Sequence, residues 1–409
     1  MTQKFGTIRR WEVALRRTRR RDTQRYRCHQ CGRTFSERPG RGQRYASDLL
    51  AESVKRHLED RSSFRIIAKR LSELTHRRFG RMTGHRALTR AAQACKTPIE
   101  VAHELKPSWA GYLHLDGKGI KLKGLPAYAW TAFLAQDSTG DVVHVALFEG
   151  SEQRETIRDF LLVVRDELHY PIRGVISDLR EEIFWAVQQV WPGVPHQGCL
   201  THTLRLIDDY TRYAAIRRQR WQQLQRWRRW RDDTPILHRH QVWYHMGVRQ
   251  IRQRLAAIKQ APGVALRLRR RARIWLSSRT AEDAEVRWSR FQHTSTSARS
   301  SDERALVHSL RTHRAALMTY LDHPEMPWTN NRIENLIKQL NRRLKTLEGV
   351  GSPQQARGYL YLWSCYHRFK PYTDCRGRHR HKNGKAPLAC AGVDLTGLDW
   401  FTFSQKTNS

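Results

Sequence analysis

The sequence predicts an α/β protein in which a mixed sheet is interrupted by a long, all-helical insertion. Three observations predict it. Residues 109–206 alternate short apolar runs with amphipathic helical stretches in the order β-β-β-α-β-α-β. Two of those runs end in an aspartate, Asp116 in GYLHLDGKG and Asp178 in IRGVISD. A third acid, Glu334, heads a helix whose other charges are cations, TNNRIENLIKQLNRRLK, and it lies 156 residues beyond Asp178. That separation is too long for one connection within a sheet, so a folded segment must fill it.

Composition narrows the partners. Lys and Arg number 75 against 38 Asp and Glu, a formal charge of +37. So large an excess repels itself unless a polyanion lies against it, and nucleic acid is the first candidate. The excess is mostly Arg, whose planar fork suits phosphates and guanine edges, and it is interleaved with 14 Trp. No run of 18 apolar residues is present and the first residues lack a signal-peptide core, so a soluble intracellular protein is expected, without a membrane partner. Seven scattered Cys do not suggest a disulfide framework.

Residues 1–44 form an Arg-rich arm containing YRCHQCGRTF. Cys28 and Cys31, followed by Gly32 and the aromatic Phe35, have the shape of one zinc-ribbon knuckle, a partial Zn²⁺ site. No Cys or His precedes Cys28, and His57, Cys375, His379 and His381 lack convincing spacing. A second subunit could complete the site, or the segment is an unmetallated loop.

Residues 45–106 read as helical. Ser47 is placed to cap a helix reaching about Asp60, Phe64, Ile67, Ala68 and Leu71 share a face of a second, and a third begins near Thr83 with His85, Arg86, Thr89 and Arg90. Three short helices with a basic last one predict a helix-turn-helix in which His85, Arg86 and Arg90 face DNA. A plain helical bundle with a solvated basic face gives the same pattern.

Residues 107–207 are the first part of the sheet domain. The strands are GYLHLDG, LPAYAWTAFLAQ and DVVHVALFEG, the latter two joined at Asp137-Ser-Thr-Gly140 as an antiparallel hairpin. A helix over about 153–168, the strand ending in Asp178, a helix over 181–191 and a strand in PHQGC follow. This order fits a ribonuclease H-like mixed sheet. Ligands of open α/β sheets gather at the carboxyl ends of strands, where Asp116 and Asp178 converge if their strands are neighbours. A single strand-terminal Asp is otherwise a turn residue or a helix cap.

Residues 208–320 supply the insertion, rich in Arg, Gln, Leu and Trp. Trp221, Trp227 and Trp230 either pack it or stack on exposed bases. Residues 321–370 complete the sheet domain. Thr329 or Asn330 is placed to cap the acid-bearing helix, Ile333, Leu336, Ile337, Leu340 and Leu344 form its apolar stripe, and Arg332, Lys338, Arg342, Arg343 and Lys345 flank it. Glu334 alone would be explained by the helix dipole. Cys365 reads as core, and residues 371–409 as a flexible basic tail.

Asp116 in HLDGKG, Asp178 in VISD, Cys199 and His202 in GCLTH, and Glu334 in TNNRIEN together resemble the DDE transposases of the Mutator-like type and related bacterial insertion-sequence transposases, over roughly residues 109–363. The resemblance implies that Asp116, Asp178 and Glu334 are catalytic and hold two Mg²⁺ ions, with Mn²⁺ a workable substitute. Hard oxygen ligands suit such ions, about 4 Å apart, which activate a nucleophile and stabilise a leaving oxygen. It further implies that Cys199, His202, Lys118, Asn331 and Lys338 lie beside that centre or touch DNA. The implied activity is hydrolysis at an element's end to free a 3′-hydroxyl, then joining of that hydroxyl to target DNA. Implied partners are the terminal inverted repeats, target DNA and a second copy of the chain or more, in the nucleoid of a prokaryotic cytoplasm. The competing reading is a transposase-derived DNA-binding protein or nuclease defective in strand transfer.

Overall fold

A computed structural model of the chain describes residues 2–15, 18–36, 45–126, 129–210, 213–294, 301–347 and 349–406. They form two compact units, Met1–Ala110 with Asp116–Pro171 and Arg332–Ser409, and Gly111–Leu115 with Ile172–Asn331.

The first unit begins with three antiparallel strands, β1 (Thr2–Val13), β2 (Thr18–Cys28) and β3 (Thr34–Ser36), in that order across a sheet. The predicted arm is therefore a sheet as far as it is described. Its Arg-rich strands lack the apolar alternation that marks a half-buried strand. Four helices follow, α1 (Ser47–Leu58), α2 (Phe64–Thr75), α3 (Arg81–Gln93) and α4 (Pro98–Leu105). Phe64, Ile67, Ala68 and Leu71 are buried at the predicted spacing. Ser47 is the first helical residue of α1 and Ala46 holds the cap position, so the predicted cap shifts by one residue. The helix α4 instead carries a full capping box between Thr97 and Glu100.

The strand β4 (Tyr112–Ile120) is common to both units, and in the first unit the strand order is β6-β5-β4, with β5 (Trp130–Asp137) and β6 (Val142–Glu149) antiparallel. Residues 127 and 128 of the predicted second strand lie outside the described residues. The predicted hairpin turn is present. Gly140 takes a positive φ of 109° there and its N–H donates to the Asp137 carbonyl over 2.8 Å. The helices α5 (Arg154–Asp166), α13 (Asn331–Thr346) and α14 (Pro353–Phe369) complete this unit's main elements.

A buried polar network fixes the turn. Arg368 on α14 donates to both Asp141 carboxylate oxygens at 2.8 Å, and Trp109 Nε1 donates to Oδ2 at 2.9 Å. Arg332 Nη1 donates to the Ser138 carbonyl and Lys382 Nζ to that of Thr139. Part of the cation excess is therefore structural. The core of the unit joins the N-terminal helices, β5, β6, α13 and α14 through Leu71, Leu88, Leu134, Val145, Leu336, Leu340 and Trp363.

The predicted flexible tail is folded where it is described. A 3-10 helix (Gly377–Lys382), α15 (Pro387–Cys390) and α16 (Trp400–Ser404) are formed, and Leu388 and Trp400 enter the core. Lys96 N–H donates to the Ser404 carbonyl and Lys406 N–H to that of Ala94, both at 2.8 Å. The apolar residues Leu388, Trp400, Phe401 and Phe403 outweigh the polar composition that suggested disorder.

In the second unit the strand order is β4-β7-β8, all parallel, with β7 (Gly174–Ser177) and β8 (His196–Gly198) flanking α6 (Glu181–Val190) in sequence. The expected neighbours are thus paired, Tyr112 with Gly174 and His114 with Ile176. After α7 (Leu200–Tyr210) the predicted insertion is helical, in α8 (Tyr213–Asp233), α9 (Val242–Trp275), α10 (Ala281–Thr294), α11 (Ser301–Thr312) and α12 (Arg314–Asp322). Its core is built on Trp275, Trp288, Phe291, Leu306, Leu310 and Leu317. Trp275 and Trp288 pack with ring centres 4.6 Å apart.

Candidate functional site

In the second unit, β7 is buried throughout and releases the chain at Asp178. Burial pushes the Asp178 carboxyl above its usual pKa, opposed by the charges of His202 and Arg180, and Arg180 N–H points at Oδ1 from 3.4 Å. The parallel strand β8 ends one residue before Cys199, whose N–H donates to the Ser177 carbonyl over 2.8 Å. Cys199 is fully buried, and His202 follows on the first turn of α7.

Asn330 ties the end of β8 to β4 within the unit. Its backbone N–H donates to Cys199 Sγ over 3.1 Å, and its side-chain Nδ2 donates to the Leu115 carbonyl over 2.7 Å. Its Oδ1 lies 3.0 Å from His114 Nδ1. The sequence offered Asn330 as a helix cap. The amide is engaged by β4 instead, holding the peptide immediately before Asp116.

In the first unit, Asp116 is half-buried within β4, which continues to Ile120, rather than at the strand's end. Gly117 permits that continuation: its N–H donates to Asp116 Oδ1 over 2.8 Å, and a Cβ at this position would overlap the Glu152 carboxylate. Glu152 therefore lies close to the backbone beside Asp116. No sequence pattern marks it, because the approach depends on a glycine 35 positions away.

Glu334 is only 6% exposed on the first turn of α13. Lys338 Nζ is 3.9 Å from its Oε2, one helical turn on. Ile333, Leu336, Ile337 and Leu340 are buried as predicted, whereas Asn331, Lys338, Arg342 and Lys345 face solvent along one stripe. Arg343 does not belong to the flank: it is buried, donating from Nε to the Leu58 carbonyl over 2.8 Å and packing on Tyr366. Lys118 is half-buried on β4.

On α3, Arg86 and Arg90 are exposed, but half-buried His85 meets the edge of Phe64 at 5.8 Å. The predicted trio is thus divided between solvent and packing. Cys28 and Cys31 close the turn between β2 and β3, where Gly32 takes a φ of 64° and its N–H donates to the Cys28 carbonyl. Backbone amides of Cys31 and Gln30 point at the Cys28 sulfur and lower its pKa.

The donor chemistry divides in two. Asp116, Asp178 and Glu334 offer hard oxygen, and Cys28 with Cys31, or Cys199 with His202, offer sulfur and nitrogen.

The family model described as Transposase IS66 family matches residues 42–358. The chain belongs to the IS66 transposase family. The match runs from just before α1 into α14, taking in Asp116, Asp178, Cys199, His202 and Glu334 and leaving out Cys28 and Cys31. The resemblance to insertion-sequence transposases holds, while its Mutator-like part does not, since IS66 is a different family. IS66 membership makes the chain a DNA-binding transposase in general terms, an enzyme class that cleaves and joins DNA. No curated protein matched it. No helix among the described residues is long and apolar enough to cross a membrane.

Proposed function

We propose that this IS66-family chain binds the ends of its element, hydrolyses a phosphodiester to free a 3′-hydroxyl and joins that hydroxyl to target DNA, with Asp116, Asp178 and Glu334 as its catalytic acids. The observation that carries the proposal is the burial of Glu334. A carboxylate needed only to complement a helix dipole gains by staying in water. Glu334 is withdrawn from solvent at the head of a strongly cationic helix. The raised pKa of Asp178 supports the same reading, because a carboxyl denied solvation gains most from an arriving cation.

The three side chains fit divalent cations by donor type, all hard oxygens, and Mg²⁺ or Mn²⁺ is the expected choice. When bound, a metal pair supplies activation of the attacking oxygen and stabilisation of the leaving one. The protein's own part is positioning. Asn330 holds the peptide before Asp116, β7 fixes Asp178, and Lys338 and Arg342 on the exposed stripe of α13 provide charge for DNA phosphates. Arg86 and Arg90 on α3 are assigned to duplex binding as a helix-turn-helix. Cys28 and Cys31 are assigned to a zinc half-site.

The test is cleavage and strand transfer on a labelled duplex carrying the element end, in Mg²⁺, in Mn²⁺ and in EDTA. Activity with either metal and none in EDTA is expected. Undiminished cleavage in EDTA would sink the proposal.

A further inference from the structure

The insertion's two longest helices form a hairpin unlike the rest of its unit. Together α8 and α9 carry 15 arginines and one lysine against two acids, Asp232 and Asp233. Packing between them is aromatic. Trp230 stacks on Tyr244 with ring centres 4.9 Å apart and planes 13° off parallel, and it sits against Gly247, where a Cβ would come within 2.7 Å of its ring. Of the predicted tryptophans, Trp230 therefore packs, Trp221 is 61% exposed, and Trp227 lies between these extremes.

Trp227 lines an open groove of about 720 Å³ with Tyr244, Val248, Arg249, Arg252 and Gln253. Tyr244, Val248 and Arg252 follow one another at successive turns of α9, so a ring, an apolar floor and a cation form a row. Arg231 covers one face of Trp227 at 5.4 Å. Arg249 and Arg252 face solvent at the groove, and α9 contains no acid to neutralise them. A duplex surface offers phosphates but hides its base faces, so cations alone would serve it. Aromatic faces recessed beside arginines suit bases that have left the stack.

We propose that this groove binds unpaired DNA, with a base against Trp227 or Tyr244 and the adjoining phosphates held by Arg249 and Arg252. The proposal rests on the reading of the chain as a DNA-processing enzyme and adds a site for strand ends or displaced bases outside the three acids. Binding here would hold an opened strand during processing. It requires no chemistry from the groove itself.

The test is fluorescence anisotropy of the full chain at fixed salt, with a labelled oligothymidine single strand and a labelled duplex of equal length. Trp227→Ala with Tyr244→Ala should weaken single-strand binding about tenfold or more and leave duplex binding within about twofold. Trp227→Phe, which retains a ring, should keep most of the affinity. Arg249→Gln with Arg252→Gln should lower the salt dependence of single-strand binding, by about 0.7 in logarithmic slope per cation removed. Equal loss for both DNAs, no loss for either, or a Phe variant as weak as the Ala variant would overturn the proposal. Binding is read in EDTA, where no cleavage is expected, so failure of the catalytic reading leaves this result interpretable.

Discussion

The backbone N–H of Asn330 donates to Cys199 Sγ over 3.1 Å, while the same residue's side chain holds the Leu115 carbonyl at 2.7 Å. One residue thus joins the end of β8 to the β4 peptide just before Asp116. Asn330→Ala would leave a buried carbonyl without its donor, at a cost of about 1–3 kcal/mol. Cleavage should fall further than this loss of stability explains, because Asp116 follows the released peptide. Thermal melting and single-turnover cleavage on the same preparation check it, and parallel small losses in both would count against a positioning role.

The Arg368–Asp141 pair is fully buried, and Arg368→Ala would strand a carboxylate that burial already pushes toward protonation. A destabilisation of about 3–5 kcal/mol is expected. Denaturant unfolding of this variant beside an exposed-arginine control, Arg165→Ala, measures it.

Gly358 on α14 lies against α3, where a Cβ would come within 2.7 Å of the Ala92 carbonyl oxygen. Backbone cannot yield as a flexible side chain can, so Gly358→Ala should destabilise the N-terminal helices by about 1–3 kcal/mol. Hydrogen exchange should report faster opening of α3, and duplex affinity should drop with it.

Acid should weaken the fold through its buried histidines. His57 is pushed down to about 4 by burial, with Nδ1 3.1 Å from the Ser62 carbonyl and Nε2 3.2 Å from the Tyr359 hydroxyl. The carbonyl fixes the proton on Nδ1, and Nε2 accepts from Tyr359. Burial likewise takes His144 to about 4 and His196 and His367 to about 3. Each folded-state value is depressed, so the unfolded chain binds protons first. Stability present above the usual value of 6.5 is lost progressively as pH falls toward 4. Lowering pH from 7 to 5 should cost on the order of 2 kcal/mol for each such histidine. Melting curves at both pH values, for wild type and His57→Asn, should show a smaller pH effect in the variant.

Much of this was legible in the sequence, because burial and periodicity decide it. The β5–β6 hairpin announced itself through Asp137 to Gly140, and the stripe of α13 through Ile333, Leu336, Ile337 and Leu340. Asp178 falls directly after its strand, as read. What escaped depends on contacts distant in sequence. Asn330 looked like a cap because its bond to Leu115 spans 215 positions, and Arg343 looked like part of the cationic flank because its acceptor is the distant carbonyl of Leu58. Glu152 beside Gly117 and the folded residues after Pro371 were hidden for the same reason.

The most direct measurement compares Asp116→Asn, Asp178→Asn and Glu334→Gln with wild type for cleavage and joining of the element-end duplex in Mg²⁺, alongside binding of the same duplex. Each variant should lose both reactions by at least about a thousandfold while binding within about threefold of wild type. Retention of cleavage by Glu334→Gln would contradict the assignment of its buried carboxylate to catalysis.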